Sequence, residues 1–134
     1  DMEKLTYNAK IAVIRVLTEI LNADNIVHES EVKYMEDIVK SFGLSEGYKS
    51  EVDGMMTLQA LSTIRELPIG QKDEIAKMMG KMIVVDEDIN YNEVKLYNVF
   101  CESCDIERDF NLEDYTGYSL SGPFVNPKDL MNGS

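Results

Sequence analysis

Hydrophobic positions recur at helical spacing in two long stretches of the first half of the chain. Over residues 6–22 the apolar face is so wide that few positions stay clearly polar, which predicts a largely enclosed, central helix. A second amphipathic pattern covers residues 29–42, and Gly43 is placed as its left-handed C-terminal stop. The inward-facing residues of the first stretch are Ala9, Ala12, Val13, Val16, Leu17, Ile20 and Leu21.

The same two patterns return in the second half. Residues 72–85 again have a wide apolar face, and residues 91–104 form a second amphipathic stretch. Shorter helices are predicted at 45–52, before Asp53-Gly54, and at 58–66, before Pro68. Because no turn-bounded run alternates convincingly between apolar and polar residues, we predict an all-α fold.

An internal repeat relates the two halves. A shift of 62 positions superposes residues 10–44 on 72–106 without a gap, and residues 107–114 then match 45–52. We therefore predict two related helix–loop–helix units, at about 6–52 and 68–114, packed as one helical bundle within residues 1–116. Glycines and prolines in 117–134 predict an extended or disordered tail. The identical pairs are Lys10/Lys72, Asp24/Asp86, Glu31/Glu93, Val32/Val94, Lys33/Lys95 and Ser41/Ser103.

Composition narrows the classes of function. The 134 residues, 44% of them hydrophobic, suffice for one compact domain. A net charge of −12 argues against nucleic-acid binding and favours a cation or a basic protein partner. No run of about 18 apolar residues is present, so no membrane insertion is expected. Two cysteines make no disulfide framework, and we expect a cytoplasmic protein.

The repeated loop between the two long helices of each half carries the candidate chemistry. An aliphatic residue (Val27, Ile89) precedes a helix-starting glutamate by four positions, as in the second half of a calcium-binding loop. The first oxygen ligands of such a loop are missing, which excludes a complete calcium loop. Two half-loops could still pool their carboxylates around one hard cation, Ca²⁺ or Mg²⁺, while His28 makes zinc a weaker candidate. The proposed ligands are Asp24, Glu31, Asp86 and Glu93, with Asp88 and His28 as auxiliaries.

A metal-free explanation of the same residues remains open. Asn90-x-x-Glu93 is a capping box, and Glu31 stands at the same place after His28. Acidic residues in a first helical turn also suit the helix dipole. Asp24 and Asp86 would then be simple turn formers.

The two loops resemble the duplicated A-D-G-x-I-x-x-x-E signature of TerB-like (tellurite-resistance) proteins. The matching residues are Ala23-Asp24 and Val85-Asp86, each followed by the aliphatic residue and the glutamate, and the segment 42–45 is also similar. The resemblance covers about residues 6–114. It departs from the family at the signature glycine, which is Asn25 in one copy and Glu87 in the other.

This resemblance implies an all-helical domain of two related halves, linked to stress response or acting as a module beside other domains. It also implies that the acidic loop residues bind a divalent cation, and these fall on Asp24 and Glu31, then on Asp86 and Glu93. TerB-like regions occur in J-domain co-chaperones too, but this chain has no His-Pro-Asp triplet. We expect no J-domain activity.

Other reactive residues favour structural roles. Cys101 and Cys104 have the spacing of a redox pair, but they lie near a helix C-terminus among acidic residues, which raise the pKa of a thiol. They match inward-facing positions of the first repeat, so we predict small core residues. His28, the only histidine, has no partners for a catalytic triad, and we expect it to face solvent. The methionines at helical spacing are predicted to be core residues.

The residue patterns predict a non-enzymatic module that binds a divalent cation and a protein partner, and the resemblance implies that it is a stress-linked TerB-like protein. One alternative is a metal-free protein-interaction module of the same fold. Another is a hydrolase that uses the loop carboxylates as acid and base.

Overall fold

The computed structural model describes residues 2–85 and 88–115, and within them the regular secondary structure is helical, with no strand, as predicted. The six α-helices of this part of the chain are flanked by short 3₁₀ helices at Met2–Lys4 and Leu112–Tyr115. The predicted tail at 117–134 lies outside the described residues. The α-helices are α1 (Tyr7–Leu21), α2 (Glu29–Ser41), α3 (Tyr48–Gly54), α4 (Thr57–Arg65), α5 (Ile69–Val84) and α6 (Tyr91–Ser103).

Helix α1 is the centre of the bundle. It packs against each of the other five helices, and eight of its fifteen residues are buried. Its start is fixed by Thr6, whose side-chain oxygen accepts the backbone N–H of Ala9 at 3.1 Å. The wide apolar face of residues 6–22 is thus explained, because a helix packed against five others keeps only a narrow face toward solvent.

Two helices differ from their predicted bounds. Helix α5 begins at Ile69, not at residue 72, with Pro68 as its N-cap at φ −60° and ψ 152°. Proline suits a helix start because the first backbone N–H groups need no intrahelical partner. Helix α3 covers Tyr48–Gly54, not 45–52, because Ser45 opens a turn in which its carbonyl accepts the N–H of Tyr48 at 3.0 Å.

The ends of α2 and α6 are alike. Both bounds of these helices differ by 62 residues, and each helix is followed by a left-handed residue, Gly43 at φ 68° and Asp105 at φ 60°. The next backbone N–H then bonds back to the helix, from Leu44 to Val39 at 3.3 Å and from Ile106 to Cys101 at 2.8 Å. The predicted stop at Gly43 is confirmed.

Beyond these ends the two halves diverge. Where the first half has α3, residues 106–111 have no regular structure and lead into the short helix Leu112–Tyr115. We call residues 106–115 the C-terminal strap. Phe110 of the strap stacks on Tyr115 with ring centroids 5.8 Å apart and meets Tyr97 of α6 edge-on at 5.6 Å.

Helix α5 receives the end of the strap at Gly80. The Tyr115 side chain is buried there, and its hydroxyl donates to the carbonyl oxygen of Ala76 at 3.4 Å. A Cβ on Gly80 would overlap the hydroxyl oxygen and Cζ of Tyr115 and lie 2.8 Å from its Cε1. The absence of a side chain at position 80 therefore leaves the space that the Tyr115 ring occupies.

The rest of the core follows the prediction closely. Cys101 and Cys104 are buried, and so are Met79 and Met82. Met56, with 69% of its surface exposed, departs from the expected core role of the methionines. Among the described residues, no helix combines the length and the apolar character needed to cross a bilayer.

Candidate acidic site at the starts of α2 and α6

Two buried glutamates mark the candidate site. Glu31 and Glu93 are the third residues of α2 and α6, and their exposed fractions are 0% and 1%. A glutamate in a first helical turn can usually reach water, and burying a carboxylate is costly unless hydrogen bonds or a positive charge compensate. Sequence reasoning selected both residues but gave no sign that they are enclosed.

Glu31 takes part in a helix cap. Its Oε1 accepts the backbone N–H of His28 at 3.1 Å, while its own N–H donates to the His28 carbonyl at 3.1 Å. His28 is the N-cap of α2 and is half-buried, so the expectation that it faces solvent as a loop residue is only partly right. The capping interpretation of Glu31 is confirmed by this bond.

Asp24 shapes the first loop. Its Oδ1 accepts the backbone N–H of Ile26 at 3.1 Å, a hydrogen bond typical of a turn-forming aspartate. Asn25 between them has a left-handed backbone at φ 63°. Asn25 stands where the TerB-like signature has glycine, and asparagine tolerates this conformation better than most residues do.

The second loop is described only in part. Asp86 and Glu87 lie outside the described residues, and Asp88 is exposed. Asn90 caps α6 by accepting the N–H of Asn92 on its Oδ1 at 2.8 Å, as the capping interpretation predicts. Within residues 2–85 and 88–115, no three His, Cys, Asp or Glu side chains form a group that could hold a metal ion. The predicted four-carboxylate set, which needs Asp86, stays a prediction.

Helix packing brings the two loops' helices into contact. Lys81, near the end of α5, lies over the ring of Tyr34 in α2 at 5.2 Å. Burial lowers the pKa of Lys81, and the nearby carboxylate of Asp37 in α2 works in the opposite direction. The end of α5, where the second loop departs, therefore lies against the helix that carries Glu31. Helix α1 also packs on α6, which is the contact that corresponds to that of α5 with α2 under the 62-residue shift.

Apolar residues of the loops are exposed. Val27 and Ile89, the aliphatic residues four positions before Glu31 and Glu93, are 49% and 38% exposed, and Ile26 is 59% exposed. In a calcium-binding loop the corresponding residue steadies the loop from inside. Here these side chains give the acidic loops an apolar outer surface.

No structural role was predicted from the sequence for two lysines, Lys10 and Lys72. Lys10 Nζ donates to the carbonyl oxygen of Phe42 at 3.0 Å, and Lys72 Nζ donates to that of Cys104 at 3.2 Å. Phe42 and Cys104 are the C-caps of α2 and α6. The signal was present, because Lys10/Lys72 is one of the six identical pairs of the repeat.

The two thiols fit an inert core. Burial raises the pKa of both Cys101 and Cys104 to about 11, although a hydrogen bond with Tyr97 works against the shift at Cys101 and the charge of Lys72 does so at Cys104. A thiol with so high a pKa is almost fully protonated at neutral pH and reacts slowly. The prediction of a structural role is supported.

Comparison with known proteins identifies a protein of similar fold but gives no information on function. The sequence matches no protein-family model and no curated protein. The structure is similar to the crystal structure of PG1108, a protein of unknown function from Porphyromonas gingivalis W83, with a TM-score of 0.62 and 18% sequence identity. The match covers 96% of this chain and 94% of that one. At this identity the likeness shows a shared fold.

Proposed function

We propose that this chain is a non-enzymatic, TerB-like, stress-linked module whose two acidic loops bind one divalent cation, Ca²⁺ or Mg²⁺. The observation that carries the proposal is the complete burial of Glu31 and Glu93 at the same place in two helices. A hard cation stabilises buried carboxylates with oxygen ligands alone. The contact of α5 with α2 supports a common site for the two loops.

We infer also that the chain is built from two duplicated helix–loop–helix units. Three features support this. The bounds of α2 and α6 are offset by the same 62 residues, and a left-handed residue follows each helix, Gly43 or Asp105. A lysine, Lys10 or Lys72, donates to the carbonyl at each helix end. A duplication explains why a glutamate is buried at the same position of both units, as Glu31 and as Glu93. It also makes a site shared between the loops the natural arrangement.

The ligands would come from both loops. Glu31 and Glu93 would bind from the helix starts, and Asp24 and Asp86 from the loops before them. A carboxylate can accept an N–H on one oxygen and ligate a cation with the other, so the hydrogen bonds to Ile26 and His28 are compatible with this role.

Thermal unfolding with and without Ca²⁺ or Mg²⁺ tests the cation. Binding should raise the unfolding free energy by RT ln(1 + [L]/Kd), about 2.7 kcal/mol at 100 times Kd. The rise should vanish in the double variants Glu31→Gln/Glu93→Gln and Asp24→Asn/Asp86→Asn. Glu29→Gln is the matched control, because Glu29 is exposed in the first turn of the same helix, and it should keep the rise. No rise in the unaltered chain at millimolar cation would reject the cation site.

The second candidate is a metal-free interaction module. The exposed apolar residues beside the acidic loops favour it, since 59% of Ile26, 49% of Val27 and 75% of Tyr91 face solvent. This candidate predicts that neither cation changes the melting temperature. A protein partner would then be the only occupant of the loop surface.

A further inference from the structure

A cleft that is lined by no residue of the acidic loops lies where the start of α1, the end of α3 and the start of α4 meet. Its volume is about 310 Å³. Ile11 and Met55, which are 2% and 6% exposed, form its apolar floor, and Tyr7 and Gln59 stand at its sides. This volume is at the lower end of the range of small-molecule pockets, but it accommodates an anchoring side chain of a partner protein.

Exposed apolar side chains occur in the cleft lining and next to it in the sequence. Tyr7 itself is 46% exposed, while Met56 and Leu58, the sequence neighbours of Met55 and Gln59, are 69% and 75% exposed. Methionine also adapts its shape to a partner.

One negative charge sits in the cleft. Glu51 is the only charged residue among those that line it, and its carboxylate accepts the hydroxyl of Tyr7. Asp53, two residues on, is exposed at the end of the same helix. With a net charge of −12 on the chain, the electrostatic complement of this surface is a basic group.

We propose that the cleft between α1, α3 and α4 docks a basic amphipathic helix of a protein partner. An apolar side chain of that helix enters over Met55 beside Tyr7, and a neighbouring Lys or Arg pairs with Glu51. Helix-in-groove binding of this kind uses one apolar face for affinity and flanking charges for orientation. This surface shares no residue with the acidic loops, so the proposal is independent of the cation site.

The chain's charge disfavours two other occupants. A second copy of this chain would also carry −12, and the two copies would repel each other. A nucleic acid would meet a carboxylate where it needs a cation. The basic helix is the occupant that the charges and the apolar side chains favour together.

A synthetic amphipathic peptide of leucine and lysine at helical spacing serves as the probe, with glutamate replacing every lysine in the control peptide. Calorimetry and amide chemical shifts of the full chain should show binding of the basic peptide alone, with shifts concentrated at Tyr7, Glu51, Met55 and Leu58. Leu58→Ser should weaken binding at least tenfold. Ile69→Ser is the matched control, because Ile69 is likewise 75% exposed at a helix start, and it should leave the affinity unchanged.

Charge is tested separately. Glu51→Gln should weaken binding several-fold and flatten its dependence on salt, whereas the cation response of the acidic loops should persist in both cleft variants. Equal binding by all variants would mean non-specific attraction and would overturn the proposal, as would no binding at all. Concentration-dependent dimers with shifts in the cleft would identify a second copy. Shifts in residues 116–134 caused by Leu58→Ser without peptide would identify the chain's own C-terminal segment.

Discussion

Lys72 Nζ donates a hydrogen bond to the carbonyl oxygen of Cys104 at 3.2 Å, across 32 residues of sequence. The carbonyls of Arg65 and Asp105 also lie within 3.4 Å of the same ammonium. Lys10 repeats the arrangement in the first half with the carbonyl of Phe42 at 3.0 Å. A cation at a helix C-terminus satisfies carbonyls that have no intrahelical donor and opposes the negative end of the helix dipole.

Replacing the two lysines by methionine should have unequal effects. Lys72→Met leaves three carbonyls near a 9%-exposed position without their donor, and we expect a loss of about 1–3 kcal/mol in the free energy of unfolding. Lys10→Met should cost less, because Lys10 is half-buried and water can replace the ammonium. Urea unfolding measures both. Equal losses would contradict this account of the lysine caps.

Gly80→Ala should destabilise the protein, although glycine to alanine within a helix is ordinarily a gain of about 0.5–1 kcal/mol. The new Cβ would overlap the Tyr115 side chain, so we expect a loss of about 1–3 kcal/mol from overpacking. Thermal or urea unfolding would show the reversed sign directly.

Tyr115→Ala provides the control for the predicted overlap at position 80. With the ring removed, the same Gly80→Ala change should become neutral or stabilising, because the three heavy atoms nearest to the new Cβ all belong to the Tyr115 side chain. The double-mutant cycle should therefore show a coupling energy of the order of 1–3 kcal/mol. Additive effects would mean that the strap does not depend on the missing side chain of Gly80.

Asp105→Gly should stabilise the protein. Asp105 has φ 60° at the end of α6, a conformation that costs a non-glycine residue about 1 kcal/mol, and its side chain is exposed. The backbone carbonyl that faces Lys72 is kept in the variant. Gly43→Ala at the equivalent end of α2, at φ 68°, should lose a similar amount. Melting temperatures that move in the same direction in both variants would refute the comparison.

Periodicity predicted most of the fold. Helices α1, α2 and α6 match their predicted ranges to within about one residue because their apolar faces and end signals are unambiguous. The start of α5 was missed because Pro68 and Gly70 also fit the end of the preceding helix, α4. The strap was missed because the 62-residue shift pairs residues 107–114 with a predicted helix, whereas tertiary contacts of Phe110 and Tyr115 hold this segment in another conformation.

The candidate site was only partly readable from sequence. A glutamate at the third position of a helix has the same local pattern whether it caps the helix at the surface or is buried, so the enclosure of Glu31 and Glu93 depends on tertiary packing. The helix contact between Lys81 and Tyr34 is likewise invisible in the spacing of residues. What the sequence did supply was the match under the 62-residue shift, in which Glu31/Glu93 and Lys10/Lys72 are identical pairs.

Alkaline pH should destabilise the fold through its buried thiols. Burial raises the pKa of Cys101 and Cys104 from the usual 9.0 to about 11, so the unfolded chain releases these protons at lower pH than the folded one. The stabilisation is therefore complete below pH 9 and is lost as the pH rises through 11. Urea unfolding between pH 8 and 11 should show this decline, and the slope should be smaller in Cys101→Ala/Cys104→Ala. Burial also raises the pKa of Tyr115 to about 12, so the double variant keeps part of the slope. Because the self-repulsion of the acidic chain is the same in both proteins, identical slopes would exclude the thiols as its cause.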